Sequence, residues 1–237
     1  MVKPSKQSRA LTDVRNALFE IGVIDSPTVL LQSGDELRDT LGLDSQELVS
    51  LAVSLSSLAT SAAPVNEEEV RTVADLVEYV GMHRDNWLPT DLPYVLQGSA
   101  TINQNLVWVQ ACIAEYERWP DILAHVTKIE PEYDDGRFQN FRMHIEELNS
   151  KEHYFVQSSR YMNLEAGIID FTQPKPPVGF KVHKGGWRFK VLDANKTELI
   201  SYHAFDLDDG VNIEDSIALI RKHIHAALKT WTNHGNK

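Results

Sequence analysis

The spacing of apolar residues changes near residue 93, and this change constrains the fold more than any other feature of the sequence. Before it, apolar residues recur every three to four positions, which is the period of amphipathic helices. After it, alternation with a period of two dominates, as in half-buried strands. Prolines interrupt the segment 83–93, which is therefore predicted to be a linker. We predict an all-α domain over residues 8–82 and a second domain over residues 94–237.

Composition narrows the possible functions. The chain has 237 residues, of which 42% are apolar, and this suits two small globular domains. No run approaches the roughly 20 apolar residues that cross a bilayer, so we expect a cytoplasmic protein without a membrane partner. The formal charge of −11 argues against nucleic acid. Cys112 is the only cysteine, and no Cys/His cluster has the spacing of a zinc site, so no metal is expected.

The first domain is predicted to be a small helical bundle. Its predicted helices are Leu11–Ile21, Gln46–Ala59 and Glu67–Val80. A short turn is expected near Glu36, and Gly81 is expected to end the last helix. The first ten residues, which are basic, are predicted to be a disordered tail.

Ser45 lies at the start of the second predicted helix, outside its buried stripe. That stripe consists of Leu48, Leu51 and Leu55. One interpretation is that Asp44 and Ser45 only cap the helix. The other is that the Ser45 hydroxyl carries a phosphate-linked group, which the helix dipole and free backbone N–H groups would favour.

A second helix start favours the modified serine. The segment Val65–Val80 is another helix start, at about the distance at which an acyl carrier protein places its last helix, and it contains the signature Thr72-Val73-Ala74-Asp75-Leu76. Together the two segments resemble acyl carrier proteins of polyketide and fatty acid synthases over Ser8–Met82. Gln46 departs from the resemblance, because many relatives have an apolar residue there.

The carrier resemblance implies a cofactor and partners. It implies that Ser45 carries 4′-phosphopantetheine, attached by a phosphopantetheinyl transferase, and that this arm holds an acyl chain. It also implies contacts with a ketosynthase and other polyketide synthase components. Residues 11–81 contain three arginines and no lysine, so an acidic surface is expected to meet basic patches on these enzymes.

The second domain is predicted to be an α+β fold in which a curved antiparallel sheet surrounds a long C-terminal helix and encloses a cavity. The predicted strands are Tyr94–Ile102, Lys128–Tyr133, Phe138–Glu147, His153–Met162, Ile168–Thr172, Phe180–Leu192 and Glu198–Leu207. The predicted helices are Leu106–Glu117, Trp119–His125 and Ile213–Trp231. The last of these has an apolar stripe, and His223 and His225 do not lie on it.

Strand alternation selects the candidate site residues. It places Tyr154, Val156, Ser158 and Arg160 on one face of a strand. If that face is inward, Arg160 needs a buried carboxylate or a polar ligand. The alternative is a rim arginine paired with a surface glutamate.

The last strand supplies the candidate acid/base residue. Leu199, Ser201, His203 and Phe205 share one face. His203 can exchange protons near neutral pH. The alternative is a hydrogen-bonded core histidine without chemistry. Tyr154, Ser158, Trp187, Ser201 and Phe205 are predicted to line the cavity, and the aromatic residues among them are favoured for packing.

Several short segments resemble one branch of a known superfamily. They are Trp119-Pro120, Phe180–Trp187 and Thr197–Leu207. Together they resemble the polyketide aromatase/cyclase branch of the START-like, helix-grip (SRPBCC) superfamily over nearly all of Leu92–Trp231. In those cyclases an arginine on a central strand points into the pocket, and Ser158-Ser159-Arg160 matches it. Val156 departs from the aromatic-rich strand of the family.

The cyclase resemblance implies that the second domain promotes aldol cyclisation and dehydration of a carrier-bound poly-β-keto chain. Arg160 and His203 are then the catalytic candidates. The alternative is a non-catalytic domain that binds and shields the tethered chain. Exposed apolar surface on the curved sheet would also allow a homodimer.

Overall fold

The computed structural model describes residues 6–59, 65–66, 69–146 and 151–236. The chain divides after Leu96 into two compact units, each with its own buried apolar core. Within the described residues, no helix is both long and apolar enough to cross a membrane.

The first unit contains three helices. They are α1 (Lys6–Glu20), α2 (Ser45–Ser56) and α3 (Val73–His83). The prediction of a disordered tail is wrong from Lys6 onwards, because α1 begins there. Gly81 does not end α3, which continues to His83. This helix begins at Val73 rather than Glu67, because Thr72 accepts a hydrogen bond from the Asp75 N–H while the Asp75 side chain accepts one from the Thr72 N–H. Glu67 itself lies outside the described residues.

A buried ion cluster explains why α1 starts early. The Asp13 carboxylate lies 2.6 Å from Nη2 of Arg9 and 2.8 Å from Nε of Arg84. Arg84 also donates to the carbonyl oxygens of Leu88 and Pro89. The segment 83–93, predicted as a linker, is therefore held against the helices, and its Leu88 side chain is buried. This arrangement depends on residues far apart in sequence, so the local pattern does not reveal it.

The second unit is built on a seven-stranded sheet. Its strands are β1 (Tyr94–Ile102), β2 (Val126–Asp134), β3 (Phe138–Glu146), β4 (His153–Asn163), β5 (Ile168–Lys175), β6 (Phe180–Asp193) and β7 (Lys196–Leu207). Their order is β1-β7-β6-β5-β4-β3-β2, and consecutive strands from β2 to β7 pair antiparallel. The predicted curved antiparallel sheet is therefore present.

Helices complete the second unit. They are α4 (Leu106–Ala114), α5 (Trp119–Ile122) and α6 (Ile213–Gly235), with a 3₁₀ turn (Tyr116–Arg118) between α4 and α5. The predicted helix end at Glu117 is wrong, because α4 stops at Ala114. The predicted apolar stripe of α6 is buried against the sheet. Gly98 lets β1 and α6 lie close together, since a Cβ at Gly98 would lie 2.8 Å from Cγ2 of Ile224 on α6.

Candidate functional site

A cavity lies between the sheet and α6, with a volume of about 140 Å³. This is close to the roughly 150 Å³ cavity that holds a benzene molecule, so it encloses about one six-membered ring. Most of the lining is apolar or aromatic. Its polar side chains include Ser158, Arg160, Gln173, His183, Ser201 and His203. A few convergent polar groups in an apolar cavity are typical of a ligand site.

Strand β4 positions the arginine. Tyr154, Val156, Ser158 and Arg160 all line the cavity, on the face that strand alternation predicts. In the ladder, Arg160 pairs with Gln139 of β3 and with Phe171 of β5, so it lies in the middle of the sheet. The guanidinium of Arg160 therefore lies at the centre of the sheet and not at its edge.

Arg160 is surrounded by aromatic rings and is only 2% exposed. Its guanidinium carbon lies 5.0 Å from the ring centre of Trp119, 5.4 Å from that of Trp187 and 5.9 Å from that of Phe141. Burial lowers the pKa of Arg160 to about 9, so the group still carries its charge at neutral pH. The aromatic faces stabilise that charge only partly.

The hydrogen bonds of Arg160 are incomplete. Nη2 donates to the carbonyl oxygen of Ile113 at 2.7 Å. Within the described part of the chain, Nε and Nη1 have no hydrogen-bond partner and no carboxylate forms an ion pair with the group. The alternative of a rim arginine paired with a surface glutamate is therefore wrong. Two donors of Arg160 therefore have no acceptor among the described residues.

His203 belongs to a hydrogen-bonded chain that the sequence did not reveal. Its Nδ1 lies 2.8 Å from Nε2 of His183, and Nδ1 of His183 lies 2.6 Å from Oε1 of Gln173. Burial lowers the pKa of His183 to about 3, and burial together with the neighbouring His183 lowers the pKa of His203. Both imidazoles are therefore neutral at pH 7.

The sequence contains local patterns that could have identified the three cavity residues that were not predicted. Alternation backward from Trp187 passes through Gly185 to His183. Gln173 alternates with Ile169 and Phe171, but the predicted strand ended at Thr172, whereas β5 continues to Lys175. His223, which does not lie on the main apolar stripe of α6, lines the cavity beside it, because a residue three positions after Ile220 shares its side of the helix.

The other predicted lining residues divide into two groups. Tyr154, Ser158, Trp187 and Ser201 line the cavity. Phe205 is fully buried but is not part of the lining, so its predicted place there is wrong. The register of β6 and β7 shifts between Phe180 and Val182, and the Phe180 ring, 5.4 Å from that of Phe205, lines the cavity instead.

The structure places Ser45 at the first position of α2, with an exposed side chain. Asp44 is the cap: its carboxylate accepts from the N–H groups of Gln46 and Glu47. The N–H groups of Gln46 and Glu47 are therefore not free to bind a phosphate on Ser45, and the prediction that they would do so is wrong. Nη2 of Arg38 lies 3.4 Å from Oγ of Ser45 and can pair with a phosphate on that oxygen. An accessible hydroxyl beside a cation fits a phosphopantetheine attachment.

Comparison with known proteins gives a fold for the second unit. No protein-family model matches the chain, and no curated protein matches it. Among solved structures, the Zhui aromatase/cyclase from Streptomyces sp. R1128 matches 60% of this chain and 93% of its own, with 19% identity and a TM-score of 0.56. A START superfamily protein from Mycobacterium smegmatis matches 60% of this chain and 97% of its own, with 12% identity and a TM-score of 0.53.

A third match is the di-domain ARO/CYC BexL from the BE-7585A biosynthetic pathway. It covers 61% of this chain and 50% of BexL, with 15% identity and a TM-score of 0.51. At such identities the likeness shows the fold alone. The curved sheet and long helix are therefore those of a helix-grip fold.

Proposed function

We propose that the second unit is a polyketide aromatase/cyclase that promotes aldol cyclisation and dehydration of a poly-β-keto chain. The observation that carries the proposal is the buried Arg160, which keeps two unpaired donors at an aromatic cavity. The fold likeness to aromatase/cyclases supports it.

Each polar group has a distinct role in this proposal. Arg160 donates to a carbonyl oxygen of the chain and stabilises the negative charge that develops there as an enolate forms. His203 accepts a proton from the neighbouring methylene and returns one during dehydration. Trp119 and Trp187 form flat walls that hold the closing ring and exclude water.

Product analysis tests these roles. A poly-β-keto chain is supplied to wild-type protein and to Arg160→Ala and His203→Ala. The matched controls are Arg142→Ala and His144→Ala on β3, whose side chains contact Glu130 and do not line the cavity. We expect a cyclised, dehydrated product from the wild type and both controls, with a loss of about 10²-fold or more in the two site variants.

The same assay separates the other candidate functions. An unchanged tethered chain would indicate a domain that binds and shields its ligand. A released linear acid would indicate thioester hydrolysis. Ring formation that persists in folded Arg160→Ala and His203→Ala would contradict the proposed roles.

We further propose that the first unit is an acyl carrier modified at Ser45. When bound, 4′-phosphopantetheine would supply the thiol that holds the chain as a thioester. Arg38 would pair with the phosphodiester. Val49 and Val53 follow Ser45 at four-residue intervals on α2 and are 50% and 66% exposed, so they offer an apolar face for the transferase and a ketosynthase. Carrier and cavity on one chain would raise the effective substrate concentration.

Intact-protein mass tests the carrier proposal. The full chain is incubated with coenzyme A and a promiscuous phosphopantetheinyl transferase. A matched pair of variants is Ser45→Ala and Ser50→Ala, both on α2, and Ser50 is also exposed. A pantetheine-sized gain is expected in wild type and Ser50→Ala and absent from Ser45→Ala. No gain in wild type would mean that Ser45 only begins the helix.

A further inference from the structure

Three adjacent strands contribute one side chain each to a hydrogen-bonded chain in the cavity wall. Gln173 comes from β5, His183 from β6 and His203 from β7. The contacts are 2.6 Å between Gln173 Oε1 and His183 Nδ1, and 2.8 Å between His183 Nε2 and His203 Nδ1. His183 is only 5% exposed, so its two ring nitrogens depend on these two partners.

The chemistry of the first member sets the direction of the whole chain. An amide oxygen can only accept, so Nδ1 of His183 must donate to Gln173. A neutral imidazole has a single N–H, so Nε2 of His183 must accept, and Nδ1 of His203 must donate to it. Within the described residues, Nε2 of His203 has no hydrogen-bond partner. His203 therefore holds its lone pair on Nε2.

Packing holds the two imidazoles in register. Their ring centres are 5.1 Å apart, and the ring of Phe171 meets them edge-on at 5.7 Å from His183 and 5.4 Å from His203. Phe171 can occupy that place because residue 185 is glycine: a Cβ at Gly185 would lie 2.7 Å from the Phe171 ring. The packing of Phe171 against both rings therefore helps to hold His183 and His203 in the orientation that fixes the tautomer.

We propose that Gln173 and His183 are positioning residues that fix His203 in the tautomer with an unprotonated Nε2 at the cavity. The catalytic consequence rests on the proposed cyclase function. Nε2 takes a proton from a substrate methylene, and the C–H electron pair forms the enolate whose oxygen faces Arg160. The resulting imidazolium keeps its Nδ1–H bond to His183. Because an amide oxygen does not take up the proton, the proton stays on the histidines. The enolate carbon attacks a second carbonyl carbon of the chain to close the ring, and the oxygen of that carbonyl takes the proton from Nε2 to become a hydroxyl. In the dehydration, Nε2 removes a second proton from the same methylene carbon and returns it to this hydroxyl, which leaves as water while the C–H electron pair forms the C=C bond.

Nitrogen NMR of histidine-labelled full-length protein tests the tautomer of His203 independently of any enzymatic assay. Spectra at neutral pH compare wild type with Gln173→Leu, which removes the acceptor, and Gln173→Glu, which keeps one. Gln157→Leu on β4 is the matched control, because Gln157 contacts Glu132 and does not line the cavity. His203→Gln assigns the signals.

The expected spectra show Nε2 of His203 in the far-downfield, unprotonated position in wild type, Gln173→Glu and Gln157→Leu, and an averaged position in Gln173→Leu. A protonated Nε2 in wild type, or an unchanged spectrum in Gln173→Leu, would overturn the proposal.

Turnover then tests the consequence. Gln173→Leu should lower kcat about 10²-fold, and Gln173→Glu should restore most of it while moving the acidic limb of the pH profile to higher pH, since a carboxylate stabilises the imidazolium. A packing role alone would not give rescue together with a shifted pH profile. If wild type closes no ring, the cyclase function fails, and the NMR result still decides the tautomer.

Discussion

The two units bury arginine in opposite ways. In the helical unit, Arg9 and Arg84 share the carboxylate of Asp13, and Arg84 also donates to two carbonyl oxygens. In the sheet unit, Arg160 has one carbonyl acceptor and aromatic neighbours. Burial lowers the pKa of both Arg84 and Arg160, so the difference between them lies in their partners. A paired buried cation stabilises a particular packing, whereas an unpaired one that lines a cavity costs folding energy and suits a ligand.

Removing the shared carboxylate should have the largest effect on stability. Asp13→Asn removes the carboxylate that two buried guanidinium groups share, so we expect the free energy of unfolding of the helical unit to fall by about 3–5 kcal/mol. Hydrogen exchange reports this unit separately. Glu115→Gln, which breaks the exposed pair with Arg118 in the sheet unit, is the control and should leave the stability of its own unit unchanged. Equal losses of stability in Asp13→Asn and Glu115→Gln would mean that the buried carboxylate stabilises the fold no more than the exposed one.

Arg160→Met should give the reverse pattern. Replacing an unpaired buried cation with an apolar side chain of similar length should leave the stability of the sheet unit unchanged or raised. Ring closure should fall by about 10²–10³-fold, because the enolate loses its donor. Denaturant unfolding and product yield are measured on the same sample. Strong destabilisation would show that Arg160 is structural, as Arg84 is.

Gly185→Ala should disturb the cavity wall. Its Cβ would lie 2.3 Å from the Tyr202 carbonyl oxygen and 2.7 Å from the Phe171 ring, and the backbone oxygen cannot move aside. We expect the sheet unit to lose about 1–3 kcal/mol in a denaturant titration. Wild-type stability would mean that this part of the sheet tolerates displacement and cannot hold the histidines.

Acid should weaken the sheet unit through its neutral histidines. Burial lowers the pKa of His183 from about 6.5 to about 3, so between these pH values the unfolded chain binds a proton that the folded chain does not. This stability is fully present above pH 6.5 and is lost as pH falls toward 3, by up to about 1.4 kcal/mol per pH unit. Unfolding at a series of pH values should show a shallower slope for His183→Gln. An equal slope would contradict the neutral pair.

The smallest effect is expected in the helical unit. A Cβ at Gly81, inside α3, meets no atom within 4 Å. Gly81→Ala should therefore stabilise the helical unit by about 0.5–1 kcal/mol, because alanine has the higher helix propensity. Thermal unfolding measures the change. A loss of stability would mean that α3 requires glycine at this position.

Periodic patterns predict the parts of this fold that depend on one element at a time. Alternation gave the seven strands and the inward face of Arg160, and the 3–4 spacing gave the buried stripe of α6. Neither pattern could predict that His183 and His203 pair, because a contact between them depends on the register of β6 against β7. Likewise, Arg9 looked like part of a basic tail because its partners Asp13 and Arg84 meet it only in the folded unit.

We propose that this chain closes a ring on a substrate that it carries itself. The most direct measurement is the mass and structure of a poly-β-keto chain loaded onto Ser45 of the full-length protein and then released, with Arg160→Met alongside. We predict that wild type releases a cyclised product lighter by one water and that Arg160→Met releases the linear chain. A linear chain from loaded, folded wild type, or the same cyclised product from both proteins, would mean that Arg160 does not promote ring closure on the carried chain.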